Sequence, residues 1–446
     1  MIASRRSLIL SAAALPFAGR AVRAQPSLPP ILFVHGNGDH AALWLTTLWR
    51  FESNGYPRDR LFAVDMPDPL ARDDDAVPQR GRSGSAEQTR RLAEFVGGFV
   101  ERHGGARVAL VGNSRGGYPI RDFVVHQGGS DAVSHAILCG TPNRGVYDWP
   151  EIRNREFNAN GDFLRRLNGG ETDVVPGTRF LTLRSAGNDV FAQPRAVWSA
   201  TPDRPTGTDV DGPELRGATN LVLGALDHRE TAYHARAFAE MFPFITGRAP
   251  SRLSVIPEER PVLDGRVTHT AGGVTNRPVA GATVEVFRVS PETAERVGAA
   301  LHRRETGADG QWGPVTVGPD WALEFVVAAP GHPITHVYRG PFPRGSGVVH
   351  LRPARAPAAQ EREAGGGVVL FQRPRGYFGI PRDTVLLDGR PPPELRPGVA
   401  IAALATRYLP AAELGRPVLG IFNEERVVSR AWPAAEGRIT LAELTW

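Results

Sequence analysis

Val108-Ala109-Leu110-Val111-Gly112-Asn113-Ser114-Arg115-Gly116-Gly117 is the stretch whose reading decides the fold. Its apolar first half stops abruptly at Gly112, and a helix-like segment opens at Tyr118. Gly-x-Ser-x-Gly between a strand and a helix is a nucleophile elbow. The turn is too tight for a Cβ at Gly112 or Gly116, and it holds Ser114 in a strained conformation with its hydroxyl presented outward. In a chain with 50 glycines the pattern also fits an ordinary glycine-rich turn, so its meaning rests on the surrounding sequence.

From residue 31 to about residue 250 the chain alternates strand and helix patterns. Residues 31–34, 61–65, 108–111, 136–139, 180–183 and 219–223 read as strands, the first wholly apolar, as suits a strand covered on both faces. Residues 47–54, 85–103, the segment after Ser114 and 230–242 read as helices. In the second of these, Leu92, Phe95, Val96, Phe99 and Val100 fall at helical spacing, with Ser85 as N-cap and Gln88 three residues on. This rhythm predicts a mostly parallel sheet with helices on both faces. Two excursions, 145–177 and 190–217, read as lids, pocket walls or mobile surface loops.

After Pro250 the texture changes to short alternating runs, such as 282–287 and 323–327, separated by Gly, Pro, Asn and Asp turns. That pattern predicts an antiparallel β-sandwich. The organisation is therefore a leader at 1–24, an α/β domain at 25–250, a β-sandwich at 251–353, a linker at 354–367 and a second β-rich segment at 368–446.

The leader has Arg5-Arg6 in Ser4-Arg5-Arg6-Ser7-Leu8-Ile9, an apolar stretch from Leu8 to Ala18, and Val22-Arg23-Ala24 as a cleavage site. It reads as a twin-arginine signal peptide, which predicts passage through that export machinery to a periplasmic or extracellular location. Its removal takes four arginines and no acid, lowering the net charge from +5 to +1. All 52 basic residues are arginines, which do not titrate, so the balance indicates no nucleic-acid partner. Without lysine there is no Schiff base, no Ser-Lys dyad and no phosphate-binding Gly-Lys loop. Cys139, the single cysteine, forms no intramolecular disulfide and reads as a small core residue. No stretch beyond the leader is long and apolar enough to span a membrane.

A serine hydroxyl needs a base, an acid to orient that base, and donors for the oxyanion. In a parallel sheet these come from loops at the carboxyl ends of strands, in the chain order serine, acid, histidine. Asp189, just past the 180–183 strand in Gly187-Asn188-Asp189, is the acid candidate, with Asp203, Asp209 and Asp211 in reserve. A tight strand-exit turn is the alternative reading of that aspartate. His228, just past the last strand, is the base candidate, and His234 in the closing helix the weaker one. The backbone N–H groups of Asn37 and Arg115 are the expected oxyanion donors, with His35 shaping the loop that carries Asn37. This chemistry requires neither a metal nor an organic cofactor.

With His35-Gly36, the Ser114 elbow, Gly140-Thr141-Pro142-Asn143-Arg144-Gly145, Asp189 and His228 in place, the chain resembles the α/β-hydrolase lipases and esterases of bacteria and archaea over about residues 30–245. His35-Gly36-Asn37-Gly38-Asp39 is also similar to the corresponding loop of extracellular polyhydroxybutyrate depolymerases. Asn113 and Arg115 stand where many lipases have histidine and methionine. Asp264–Thr268, Pro278–Val286 and Thr306–Gln311 resemble carboxypeptidase-regulatory, prealbumin-like sandwich modules. A hydrolase followed by such a half resembles the two-domain archaeal long-chain lipase, whose C-terminal part helps form the acyl site. The resemblance implies an exported serine carboxylic-ester hydrolase acting on a lipid or ester, long-chain or polymeric. A polyester depolymerase or amidase with the same triad stays open, as does a non-catalytic binding protein on this scaffold. If the β-rich half only lengthens the acyl site, deleting everything after about Pro250 should spare a two-carbon ester.

Overall fold

A computed structural model describes residues 28–269, 275–355 and 366–446. The leader and most of the linker lie outside the described residues. Six strands, β1 (Ile31–Val34), β2 (Leu61–Val64), β3 (Val108–Asn113), β4 (Val133–Cys139), β5 (Arg179–Arg184) and β6 (Thr219–Val222), form one sheet in the order β2-β1-β3-β4-β5-β6. Every pairing in it is parallel. The period-2 alternation of a strand sends neighbouring side chains into different cores. Ile31, Phe33, Ala109 and Val111 pack with the chain-closing helix (Ala235–Thr246). Leu32, Val34, Val108 and Leu110 pack with helices α2 (Ser85–Arg102) and α3 (Gly117–His126). This is the α/β-hydrolase architecture, and it brings the ends of β1, β3, β4, β5 and β6 to one edge.

Two local expectations are corrected. The N-cap of α2 is Gly84, not Ser85, and the reciprocal bond comes from Glu87, which accepts the Gly84 amide at 3.0 Å. A Cβ at position 84 would stand 2.9 Å from the Asp75 carbonyl, so only glycine fits the cap, and the Ser85 hydroxyl donates to Asp75 instead. The closing helix is two pieces, Glu230–Tyr233 and Ala235–Thr246, because His234 between them is extended and caps the second through its Nδ1.

The C-terminal half centres on a seven-stranded sheet. Its strands are β7 (Thr283–Val289), β8 (His302–Glu305), β9 (Ala322–Ala328), β10 (Ile334–Arg339), β11 (Gly367–Gln372), β12 (Leu404–Leu409) and β13 (Arg438–Glu443), in the order β8-β7-β9-β10-β13-β11-β12. β7 to β10 are antiparallel, as the alternating runs require. The last strand, β13, then inserts parallel to both β10 and β11, which makes the sheet mixed. Residues 251–353 and 368–446 therefore share one sheet across the boundary drawn from the sequence.

The two halves also share side chains. Helix α1 (Leu45–Ser53) has two apolar faces. Phe51 packs in the parallel-sheet core, while Leu45 and Trp49 belong to the C-terminal core with Leu263, Trp312, Phe325 and Leu441. Trp49 is fully buried, and its indole N–H donates to the Gly345 carbonyl at 3.0 Å. Removing residues 251–446 would thus expose core side chains of the hydrolase half, which argues against a truncated chain that keeps short-ester chemistry intact. Trp49→Ala is expected to cost about 3–5 kcal/mol in denaturant unfolding. The chain ending near Pro250 is expected to lose activity on two-carbon and long-chain esters alike.

Candidate active site

Ser114 follows β3 with φ of 53°, the left-handed region that L-residues avoid. The strain is enforced by packing. A Cβ at Gly112 would lie 2.7 Å from the Ile120 side chain, and one at Gly116 would lie 2.5 Å from the His35 carbonyl oxygen. The elbow is thereby pressed onto the exit of β1. Gly36 lies so near that a Cβ there would stand 2.9 Å from the Ser114 Cβ, which sets the Asn37 loop beside the serine. Across the sheet, a Cβ at Gly140 would meet the His228 carbonyl at 3.0 Å and the Asp189 carboxylate at 3.4 Å.

His228 is buried, and its Nδ1 is 2.8 Å from Asp189 Oδ1. Asp189 also accepts the Phe191 amide at 2.9 Å, and the Phe191 ring packs edge-on against the imidazole at 4.6 Å. His228 Nε2 is buried and makes no hydrogen bond among the described residues. The reserve acids Asp203, Asp209 and Asp211 are all exposed in the loop beyond, and only Asp189 bonds to the histidine. Around the serine, Asn37 accepts the Ala71 amide through its side chain at 2.7 Å, and its own amide has no acceptor among the described residues. Arg115 is the second residue of the 3-10 turn Ser114–Gly116, whose leading amides have no acceptor within the turn.

His35 does shape its loop. Its Nε2 accepts the Met66 amide at 2.9 Å, so the ring proton sits on Nδ1 and is donated to the Gly36 carbonyl. Burial lowers its pKa and favours this neutral form. Cys139 is buried in β4, and burial pushes its thiol far up, leaving a core residue without nucleophilic character.

The two departures from common lipase residues are structural. Asn113 donates to the Cys139 carbonyl at 2.9 Å and reaches the His228 carbonyl at 3.4 Å, tying the elbow to the histidine loop. Arg115 turns its guanidinium away from the serine into a buried fork on Glu156, with contacts of 2.5 and 2.7 Å. It also donates to the carbonyls of Pro69 and Ser83. Glu156 sits in the 145–177 excursion, which a second buried acid, Asp173, ties to Arg144 and Arg216. The excursion is a pinned wall.

Sequence reasoning missed the residues that hold these loops from the C-terminal half. Arg373 donates to Asp227 and Glu230, each at 2.6 Å, so both neighbours of the His228 turn are gripped by one guanidinium. The Tyr377 amide adds a bond to Asp227, and Arg382 one to Glu230. Burial and the charge of Glu230 push Asp227 up, against the pull of Arg373. On the other side Asn276 donates to the carbonyls of Asp39 and Met66, bracing the loop that carries Asn37. The run Leu226-Asp227-His228-Arg229-Glu230 carried a signal, since two acids flanking a histidine at a strand exit require cations.

His40, Asp65 and His350 bring one potential ligand atom each within 4.8 Å of one another. The Arg266 amide donates to His350 Nδ1, so the ring proton sits on Nε2 and points to Asp65 Oδ2 at 2.8 Å. A metal would need that Nε2 lone pair, so the His350–Asp65 pair fits a hydrogen-bonded brace, with His40 stacked on His350, and not a metal centre. Burial alone would raise Asp65, yet the His350 contact holds it well below the usual carboxylate range.

Replacing Arg115 by methionine strands Glu156 as a buried lone charge and is expected to cost about 3–5 kcal/mol. The double variant Arg115→Met/Glu156→Leu is expected to recover most of that loss, which denaturant unfolding of the four-member cycle measures. Arg373→Met is expected to lower kcat more than it raises KM, because it loosens the histidine loop without touching substrate.

Residues 29–142 match the lipase (class 2) family model, and residues 260–356 match the lipase C-terminal domain model. No curated protein matches the chain. Among solved structures, lipase BlEst2 of Bacillus licheniformis in its propeptide form aligns at 16% identity over 91% of this chain and 96% of that one, with a TM-score of 0.37. Its mature form aligns at 23% identity over 50% of this chain and 93% of that one, with a TM-score of 0.36. Phospholipase PlaB of Legionella pneumophila aligns at 12% identity over 68% and 86% of the two chains, with a TM-score of 0.37. The two family matches fall on the two interlocked halves, and the chain resembles the lipases and esterases in both: an α/β-hydrolase half followed by a lipase C-terminal domain.

Proposed function

We propose that this protein is an exported serine hydrolase of carboxylic esters, a lipase or esterase. The family matches support ester hydrolysis. Ser114 Oγ attacks the acyl carbonyl carbon while its proton passes to His228 Nε2. The carbonyl electron pair moves onto oxygen, where the Asn37 and Arg115 amides hold it, each donor contributing on the order of 3 kcal/mol. Collapse breaks the ester bond, and His228 returns the proton to the departing alcohol. Water, deprotonated by His228, then attacks the acyl-serine, releasing the carboxylic acid and restoring the Ser114 hydroxyl. Asp189 keeps the Nδ1 proton in place and stabilises the imidazolium.

The observation that carries this reading is the pairing of a serine in left-handed backbone with an Asp-anchored histidine whose Nε2 is buried and unpartnered. His40 Nδ1 and His103 Nε2 are unpartnered too, so it is the Asp189 anchor together with the strained serine that distinguishes His228. Catalytic hydrogen bonds are often open before substrate binds, so the free Nε2 suits a base awaiting the reacting complex. Export by the twin-arginine machinery to the periplasm or beyond is supported by residues 4–9 and 22–24.

A polyester substrate is the second reading, and one feature favours it over an amide. From Phe191 beside His228, rings follow at Trp198, Trp149 and Tyr147 with successive centroid distances of 6.1, 5.8 and 4.6 Å. Tyr147 and Trp198 are also 5.8 Å apart, so these rings form an aromatic cluster that joins both excursions beside the histidine, with Arg204 over the Trp149 face.

A fluorophosphonate is expected to add once, at Ser114, and Ser114→Ala to lower kcat/KM by roughly 10⁴-fold or more. Absence of an adduct on a chain with intact near-UV circular dichroism would overturn the catalytic reading in favour of a binding protein. Rates on p-nitrophenyl acetate, long-chain triglyceride and polyhydroxybutyrate films separate the substrate classes. Trp198→Ala is expected to raise KM for the long substrates more than for the acetate.

A further inference from the structure

Between the two halves lies a cavity of about 600 Å³ whose lining includes neither Ser114, Asp189 nor His228. Five arginines, Arg229, Arg339, Arg352, Arg355 and Arg375, line it, together with His40. Arg339 pairs with Glu443 at 2.6 Å and Arg229 with Asp39 at 3.4 Å. Arg352 and Arg375 have no carboxylate within ion-pair reach among the described residues. Arg352 donates to the Asn276 side chain at 2.6 Å and to the Gly38 carbonyl at 3.4 Å. Arg375, only 3% exposed, donates to the carbonyls of Thr445 and Leu444. Burial pulls both guanidinium groups down to about 10, only partly offset by the more distant carboxylates of Asp39, Asp65 and Glu443 for Arg352 and of Glu443 and Glu425 for Arg375. Arg352 Nε, Arg339 Nε and His40 Nδ1 are also buried without a partner. Asp39, Glu443, His350 and Gln372 complete the polar part of the lining, and Leu45, Val348, Leu370, Ile439 and Leu441 form an apolar wall.

We infer that this cavity binds an anionic amphiphile, a compact anionic head held by Arg352 and Arg375 with its apolar tail along the Leu370–Leu441 wall. A delocalised guanidinium fork suits a carboxylate or a phosphate oxygen pair equally, and the volume is that of a small-molecule site. The position gives the ligand leverage. Asp39 follows the Asn37 loop and Arg229 follows His228, so an occupant touches the supports of both. A free fatty acid, the product of the reaction proposed above, has this chemistry, and so does the phosphate end of a lipid.

Calorimetric titration of the full-length Ser114→Ala protein tests the site apart from turnover. Dodecanoate or dodecyl phosphate is expected to bind at one site, with dodecanol and inorganic phosphate each at least tenfold weaker. The tighter of the two amphiphiles identifies the source. Arg352→Gln and Arg375→Gln are each expected to weaken that binding tenfold or more, and Leu370→Trp to block the tail in a chain that keeps both arginines. Unchanged melting temperatures separate these effects from misfolding, and Leu370→Trp alone decides if the arginine variants fail to fold. Absence of binding, or binding indifferent to Leu370→Trp, would overturn the inference. Binding that emerges only with Glu361→Gln/Glu363→Gln would also overturn it, assigning the arginines to the chain's own carboxylates.

Discussion

One buried guanidinium governs the geometry of the candidate site. Arg373 is 2% exposed and spends its N–H groups on Asp227, Glu230, the Tyr233 hydroxyl and the carbonyls of Tyr377 and Trp446. A charge taken out of water is tolerated only when its partners are close and numerous, and the same holds for the two carboxylates it meets. The cluster therefore has a single low-energy arrangement. His228 stands between Asp227 and Glu230, so its turn inherits that rigidity, and the Asp189 bond needs to fix only the ring. The turn that presents His228 is held by residues more than 140 positions away in sequence.

The serine is fixed by a different physics. Its left-handed backbone is a local cost of order 1–3 kcal/mol, sustained by close packing of glycine backbone against β1 and α3. Nothing polar is required there, only the absence of Cβ atoms where strand and helix approach. Asn113 then couples the two devices, since its amide spans the Cys139 carbonyl and the His228 loop. Steric exclusion sets the proposed nucleophile, ionic saturation sets the proposed base, and one side-chain amide relates them.

This difference explains what could be read before the structure was seen. Strands such as β1 and β3 are wholly apolar because both faces are covered, and the elbow is spelled by glycines whose requirement is local. Both are legible in a few consecutive residues. The α2 cap is local too, but Gly84 was displaced by the more familiar Ser85, because the deciding contact, Asp75, is nine residues upstream. The break at His234 was hidden because the helical pattern continues on both sides of it. Asp189 and His228 could be chosen by position after strands, and their hydrogen bond follows from the sheet order. Arg373, Asn276 and His350 could not, since a single sequence does not say which of 52 arginines will meet two acids across a domain boundary. The parallel insertion of β13 between β10 and β11 was illegible for the same reason: alternation identifies a strand but not its neighbour.

The interlocking of the halves gives the C-terminal half a part in holding the candidate site, beyond extending a surface. α1 buries Leu45 and Trp49 in one core and Phe51 in the other, so neither core closes alone. The Asn37 loop is braced by Asn276 and the His228 turn by Arg373, so both polar ends of the proposed reaction rest on elements folded after residue 250. Rigid placement of donors is what makes electrostatic stabilisation effective, since dipoles that must reorient lose most of their advantage. A minimal α/β hydrolase has to find that rigidity within its own loops. Here it comes from a second core docked against the strand ends, and the walls at 145–177 are pinned by their own buried ions. The arginine-lined cavity lies in the seam between these rigid parts.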